Sequence, residues 1–490
     1  MSTISFSQIP VDLRTPGQYL EVDASRARQG LPTMRQRVLL LGQKTGTGVA
    51  AGQKLVRVLS QSQADKAFGP MSQLSYMVEA FRAANTSTEL WAMAMPTTGA
   101  TQAVGSLTFA GTATEGGTLN LMIGGRVTSV AVASGETAET VAARVHSTIN
   151  AQTRRMVSPS VAGAVVTLTA LAGFTGVAGS SIDLREGYYD TNGGSVPAGL
   201  TLTIAAMSGG TGGVVLDNLP TLLGDEWFQT IVMPSPILSE LTKLVTLLNS
   251  RFGPMVQLEG MVYTAASGNL ATLLSNGALT NSQHVCLVGA GRSPTPPWEW
   301  ASQVAAVDVG EPDPARPRQG ITLPTMLAPA RGVRLTREER DVLLHGGVST
   351  YKVQAGGVVE LERLITMYQT DSFGGVDTSY LDVETMRTLA YLRYSLRARI
   401  AQKYPRHKLA NDGTNYAPGQ AVVTPSVLRG ELLALAREWE YAGLVEGFDQ
   451  FKADLLVERD TDDPNRVNAV IPPDMVNQFR VFAGLVQFRR

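Results

Sequence analysis

The sequence predicts a multidomain chain of mixed α/β and α+β class: an α/β core carrying an inserted β-rich domain, then a C-terminal α+β domain, with extended arms at both ends. Three observations lead there. Short apolar runs alternate with stripes of apolar residues at helical spacing over 37–96 and again from 216, the pattern of a mostly parallel sheet covered by helices. Twenty of the 49 glycines fall within 97–215, among short Thr- and Val-rich runs. Both ends carry strand-like apolar segments set off by prolines, whereas chain ends are usually polar and frayed.

A chain of 490 residues, 44% hydrophobic and 17% charged, is long enough for roughly two to four domains with sizeable cores. A net charge of −1 argues against a general nucleic-acid binder, which needs a basic surplus or patch. A single cysteine, Cys286, excludes an internal disulfide and suits a reducing cytoplasm. No apolar run reaches the roughly 18 residues of a membrane span. The N-terminus lacks a basic segment followed by an apolar one, so no secretory signal is expected.

In chain order, residues 1–20 read as an arm, with Ile4 and Phe6 alternating with serines before Pro10, Pro16 and Gly17. The α/β core begins over 21–96. Its RVLLLG run at 37–42 is a buried strand, 62–68 and 71–84 are helices, and 90–95 is a strand. Leu74, Met77, Val78 and Phe81 share a face of the second helix, and Asn85 can cap its end. The insertion, 97–215, holds strands at 106–110, 118–123, 127–132, 165–170 and 200–205. Turns fall at Gly116-Gly117 and Gly124-Gly125, and a helix at 138–150 has Thr137 as N-cap. The core resumes over 216–325, with strands at 228–233, 255–263 and 284–289 and helices at 237–249 and 267–276, the latter capped by Ser267. A proline-rich stretch from Pro294 to Pro324 then reads as a stiff boundary broken by a helix near 298–307.

The α+β domain, 326–475, opens on a capping box, Thr336 with Glu339. Strands at 351–354 and 358–366 flank Gly356-Gly357. The long helix at 383–404 would bury Met386, Leu389, Leu392, Leu396 and Ile400 before Pro405 stops it, and a helix follows at 426–442. The stretch 457–468 is acidic. Pro472-Pro473 sets off the terminal segment 476–490. There Phe479, Val481 and Leu485 occupy one face of a strand and Phe482, Val486 and Phe488 the other. Such a strand needs cover on both sides, from its own domain or by completing a sheet in a neighbouring copy.

No chemistry is legible. The four histidines share no motif, and neither HExxH nor CxxC occurs, so no metal site is expected. His284 and Cys286 read as core residues. Gly42 to Gly48 is glycine-rich, but Lys44 comes too early for a phosphate loop, and no dinucleotide fingerprint or nucleophile elbow is present. No cofactor is expected. Arg393, Arg397, Arg399, Lys403, Arg406 and Lys408 crowd the end of the long helix. Cations there suit the helix dipole, and as a cluster they form a candidate docking patch for an acidic partner surface.

This organisation resembles the tail sheath proteins of contractile-tailed bacteriophages, in particular those of Mu-like phages. The likeness rests on Thr15-Pro16-Gly17-Gln18-Tyr19-Leu20-Glu21, on Phe68-Gly69-Pro70 with the helix after it, and on LERLITMYQT at 361–370. It continues through 379–405, 418–430, 449–466 and 476–488. The resemblance implies a subtilisin-like but non-catalytic fold for the core; His345-Gly346-Gly347 and Asp412-Gly413-Thr414 are poor matches to protease motifs. It implies a structural protein rather than an enzyme, and self-assembly into stacked six-membered rings around a tail tube, with both chain ends linking neighbouring subunits. It further implies contraction by rigid-body rearrangement to drive genome ejection. The partners would be other copies, the tube protein, and baseplate and terminator proteins, in a virion assembled in the host cytoplasm, with neither nucleic acid nor membrane anchoring. Two other classes stay open on the residues: an adhesin or receptor-binding protein using the insertion, and an α/β hydrolase or nucleotide enzyme suggested by the alternating core.

Overall fold

The computed structural model describes residues 14–20, 30–187, 196–414, 416–417 and 419–489. Contacts divide the chain into two compact units, 36–312 with 318–386, and 1–35 and 313–317 with 387–490.

In the first unit, strand Arg37–Gly42 sends Val38 and Leu40 into one apolar cluster and Leu39 and Leu41 into another. Alternate side chains therefore serve opposite faces, and both faces are covered. The strand lies inside an eight-stranded sheet in the order Val359–Arg363, Val348–Val353, Val285–Gly291, Met261–Ser267, Thr230–Val232, Arg37–Gly42, Glu89–Ala94, Val56–Arg57. Its inner pairs are parallel and its two outermost pairs antiparallel. Helices Gln73–Ala84 and Pro297–Gly310 contribute to the first cluster; Leu238–Phe252, Leu270–Gly277 and Arg337–His345 contribute to the second.

Several local expectations change. Helix Pro297–Gly310 is no linker interruption, since thirteen of its fourteen residues are buried. Its apolar residues show no stripe because it is covered all round. Met255, expected in a strand, is 94% exposed in the turn after Phe252, and the strand starts at Met261. Gly268 adopts φ 142°, so the next helix starts late and Asn269, not Ser267, accepts the capping N–H of Thr272. Asn85 caps its helix as expected, in extended conformation, its side-chain amide oxygen accepting from the N–H groups of Ser87 and Thr88. Strands Val348–Val353 and Val359–Arg363, assigned by sequence to the C-terminal domain, instead close one side of the central sheet, and the contact boundary falls at Arg387 rather than 326.

Residues 104–208 build two antiparallel sheets. One orders Leu200–Ser208, Val104–Gly111, Val165–Ala170 and Val157–Ala162; the other orders Arg126–Val132, Gly117–Ile123 and Leu184–Glu186. Gly124 and Gly125 both take positive φ, 55° and 78°, which the two-residue turn between paired Ile123 and Arg126 requires. Thr137 caps helix Ala138–Ala151, whose Val141, Val145 and Ile149 are buried. The apolar core of this region is continuous with one face of the central sheet. Charges reinforce the junction. Arg126 donates to both carboxylate oxygens of Glu299 at 2.9 and 3.2 Å and lies over the Tyr76 ring, while Arg154 pairs with Asp65 and Glu79. Burial pushes the Tyr76 hydroxyl up to about 12, so it stays neutral beneath the guanidinium groups.

In the second unit, helix Pro425–Tyr441 and residues from the long helix Val383–Lys403 enclose Leu392, Leu432, Leu435, Ala436, Trp439 and Phe451. Three two-stranded sheets surround this core: Lys408–Leu409 with Val422–Val423, Val445–Glu446 with Asp474–Met475, and Leu456–Arg459 with Val467–Val470. The long helix turns inward a stripe containing Leu392, Ser395 and Arg399, whereas Leu389, Leu396 and Ile400 are only partly covered. Ser395 accepts the Trp439 indole N–H at 3.0 Å. Arg399 is 9% exposed and bridges Glu431, at 3.0 Å, and Glu438.

Two predictions follow from these cores. His284 is fully buried, its Nδ1 3.2 Å from the Gly260 carbonyl. Burial depresses its pKa from 6.5 to about 4. The unfolded chain therefore binds the extra proton between those values, and the neutral ring's contribution, full above pH 6.5, is lost as pH falls through 4. At ~1.4 kcal/mol per pH unit this amounts to roughly 3 kcal/mol, and urea unfolding of dispersed subunits at pH 7.5 and 4 should show that loss reduced in His284→Gln. Separately, Arg399→Ala leaves the partly buried Glu431 and Glu438 without their bridge and should cost about 1.5–3 kcal/mol in denaturant unfolding, against less than about 1 for the exposed Lys403→Ala. Equal costs would contradict the burial argument.

Candidate functional site

Residues that could suggest chemistry have local structural tasks. Lys44 donates to the carbonyls of Gly48 and Ala50, closing its own loop. His345 sits exposed at a helix end with Nδ1 2.9 Å from the Asp341 carbonyl. The Asp412 carboxylate accepts from the Ser426 backbone and hydroxyl, which holds it below the usual carboxylate range. Cys286 is buried, 3.3 Å from the Ser349 hydroxyl. Among the described residues no three His, Cys, Asp or Glu side chains are grouped to hold a metal ion. Among the described residues no helix is long and apolar enough to cross a membrane.

The chain ends carry the unusual features. Ile4 and Phe6 lie outside the described residues. Of the arm, residues 14–20 are exposed, with Leu20 at 92%. Farther on, Tyr391 and Tyr394 donate to the carbonyls of Pro32 and Thr33, and Leu31 packs on the core of the second unit. At the other end, the last pairing within the chain joins Glu446 to Asp474 and Val445 to Met475, followed by one bond from Val476 N–H to the Leu444 carbonyl. Residues 481–489 enter no sheet and are all exposed. Phe479, Val481, Phe482, Leu485, Val486 and Phe488 are each more than 70% exposed, so apolar side chains of both would-be strand faces meet water.

The same unit holds the hairpin Leu456–Arg459 with Val467–Val470, which has no third strand among the described residues. Its directly opposed residues Leu456 and Val470 are 62% and 58% exposed. Sequence reasoning noted only the acidity of this stretch. The missed signal was two short apolar runs around Asp-Asp-Pro-Asn. Asp460 organises the turn, accepting from the N–H groups of Asp462 and Asp463 and from Asn468, which lowers its pKa.

The six cations of the long helix and its exit do not form one surface. Arg399 is buried in its ion pairs, which removes it as a docking residue. Lys403 shares Glu431 at 2.7 Å. Arg393 and Arg397 are half-buried, whereas Arg406 and Lys408 are exposed, the latter donating to Gln420 at 3.2 Å. A helical wheel shows charge but not the carboxylates of Pro425–Tyr441 that meet it.

Comparisons with known proteins give these features a context. The phage tail sheath protein central domain matches residues 211–367, and the phage tail sheath C-terminal domain matches 376–489. The tail sheath protein of the Mu-like prophage FluMu from Haemophilus influenzae is 43% identical over 489 residues, 99% of each chain. Solved sheath tail proteins align at 13% identity with a TM-score of 0.49 each. That from Desulfitobacterium hafniense covers 94% of this chain and 100% of its own, and that from Listeria innocua 92% and 94%. On its full-length identity to the prophage protein and its two sheath domains, the chain belongs to the phage tail sheath family, the structural sheath proteins of contractile tails.

Proposed function

We propose that the protein polymerises as stacked six-membered rings around a tail tube, its subunits joined by donated strands, and that it contracts by rigid-body movement of those linked subunits. The observation that carries this reading is the terminal segment: apolar on both faces, exposed, and carried by a unit whose Leu456–Arg459 hairpin has no third strand among the described residues. A two-stranded sheet is marginal alone, and exposed edges accept further strands. Residues 478–490 of one copy would extend the hairpin of another through main-chain hydrogen bonds, with alternate apolar side chains covering Leu456 and Val470. The N-terminal arm, with Ile4 and Phe6, would supply a second strand of the same kind.

Such contacts are heterologous, so they propagate along a helix instead of closing as a pair. Subunits can then rotate and move outward while the strand links persist. The extended sheath would be kinetically trapped above the contracted state, so contraction needs no nucleotide and no catalytic step. The α/β core would serve as a rigid body of subtilisin-like fold without its chemistry. Lys403, Arg406 and Lys408, with Arg393 and Arg397 beside them, are the remaining candidates for contact with the tube. Baseplate and terminator proteins would bound the stack, assembled in the host cytoplasm and carried in the virion.

Deleting 478–490 tests the reading. The truncated chain should remain folded and soluble, with its unfolding midpoint close to that of the full chain in its dispersed form, but should form no tubes by electron microscopy. Unfolding of the truncated subunit would assign the segment to its own core, and normal tubes would remove its linking role.

A further inference from the structure

The loop between strand Val359–Arg363 and the long helix displays a second apolar feature of a different kind. Phe373 is 97% exposed and Val376 91%. Nevertheless, the loop is tied down. The Asp371 carboxylate accepts from the N–H groups of Phe373 and Gly375, both at 2.9 Å, and its own N–H donates to the Gly375 carbonyl. Asn281 holds the base, accepting from Gln369 N–H at 2.7 Å and donating to the Thr370 carbonyl at 2.7 Å. Asp377 accepts the Tyr368 hydroxyl at 2.6 Å. A dense set of bonds thus holds a phenyl ring out in water with acidic groups on either side. An anchor so preorganised loses little conformational entropy when it docks.

The same unit carries a complementary hollow, lined by Leu335, Tyr351 and Val353 together with the cations Arg334, Arg340 and Lys352. Arg340 is paired with Glu362 and Lys352 with Glu360, whereas Arg334 has no carboxylate partner among the described residues. The hollow, of about 90 Å³, is thus lined by apolar and polar surface in similar measure with a cationic surplus, and the loop sets an exposed phenyl ring beside acidic groups. The two lie at opposite ends of one strand. Met367, just before the loop, donates to the Val285 carbonyl where strand Val285–Gly291 begins, and the Tyr351 hydroxyl donates to the Ala290 carbonyl where it finishes.

We infer that Phe373 of one subunit packs its ring edge against Leu335, Tyr351 and Val353 of a second copy, with Asp371 and Asp377 facing its Arg334. This rests on the self-assembly proposed above and adds a contact that does not use the chain ends. Placement at opposite ends of the sheet makes the contact head-to-tail, so every added copy presents a fresh anchor and a fresh hollow.

The test uses the full-length chain, with wild-type assembly measured first, so that failure of self-assembly itself is separated from failure of this contact. Phe373→Ser, at a side chain almost entirely in water, should leave circular dichroism and unfolding unchanged and raise the concentration needed for assembly by about tenfold or more. Copies carrying Phe373→Cys and Leu335→Cys separately, mixed under assembly conditions and oxidised, should give a covalent dimer that dispersed subunits do not give; native Cys286 is buried and does not compete. Unaltered assembly of Phe373→Ser would overturn the inference. So would weakened assembly without the dimer, which would place Phe373 against some other surface.

Discussion

A strand with apolar side chains on both faces is stable in water only when both faces are covered. This chain supplies that cover to Arg37–Gly42 and withholds it from residues 481–489. Within the first unit the requirement is met by helices on each side of an eight-stranded sheet, down to Pro297–Gly310, which is buried from Pro297 to Val309. At the C-terminus the same kind of segment runs past its last pairing at Met475. Burial of a large apolar side chain is worth roughly 1.5–3 kcal/mol, and several such side chains stand exposed there together. That is enough to offset much of the cost of association. On the reading proposed above, the incomplete part of the fold would be the part that drives polymerisation.

The rest of the structure would let such a proposed link bear load without deforming its subunits. The inserted sheets share an apolar core with the central sheet and are fastened by Arg126 and Arg154 to Glu299, Glu79 and Asp65. Removing Arg126 would leave the buried Glu299 carboxylate unpaired, which is costly, so this part of the junction resists opening. In the second unit, the bridge from Arg399 to Glu431 and Glu438 fixes two helices against each other beside the Trp439–Ser395 hydrogen bond. Packed interiors of this kind resist deformation, as the proposed rigid-body movement of subunits would require.

What was legible in the sequence depended on how local the governing physics is. The capping box of Thr336 and Glu339, the Thr137 cap and the Gly124-Gly125 turn are decided by neighbouring residues, and the structure has all three. The alternating core was legible because strand and helix periods differ. The helix near 298–307 was legible but its burial was not, because the flanking prolines read as a linker and a helix covered all round has no polar face to set against an apolar one. Met255 and Val256 misled because an apolar pair resembles the start of a strand until the backbone, with positive φ at Gln257, shows a turn. Arg399 was misjudged because its partners lie more than thirty residues away in sequence. The terminal segment was legible as an anomaly, and its two-faced pattern already posed the question of what covers it.

Hydrogen exchange of the peptide spanning 478–490, compared between dispersed subunits and assembled tubes, tests the central claim most directly. Strand donation predicts fast exchange in the dispersed protein and at least roughly hundredfold slowing in the tube, as new ladder bonds protect the amides. Equal exchange in the two states would contradict it, as would protection already present in the dispersed subunit.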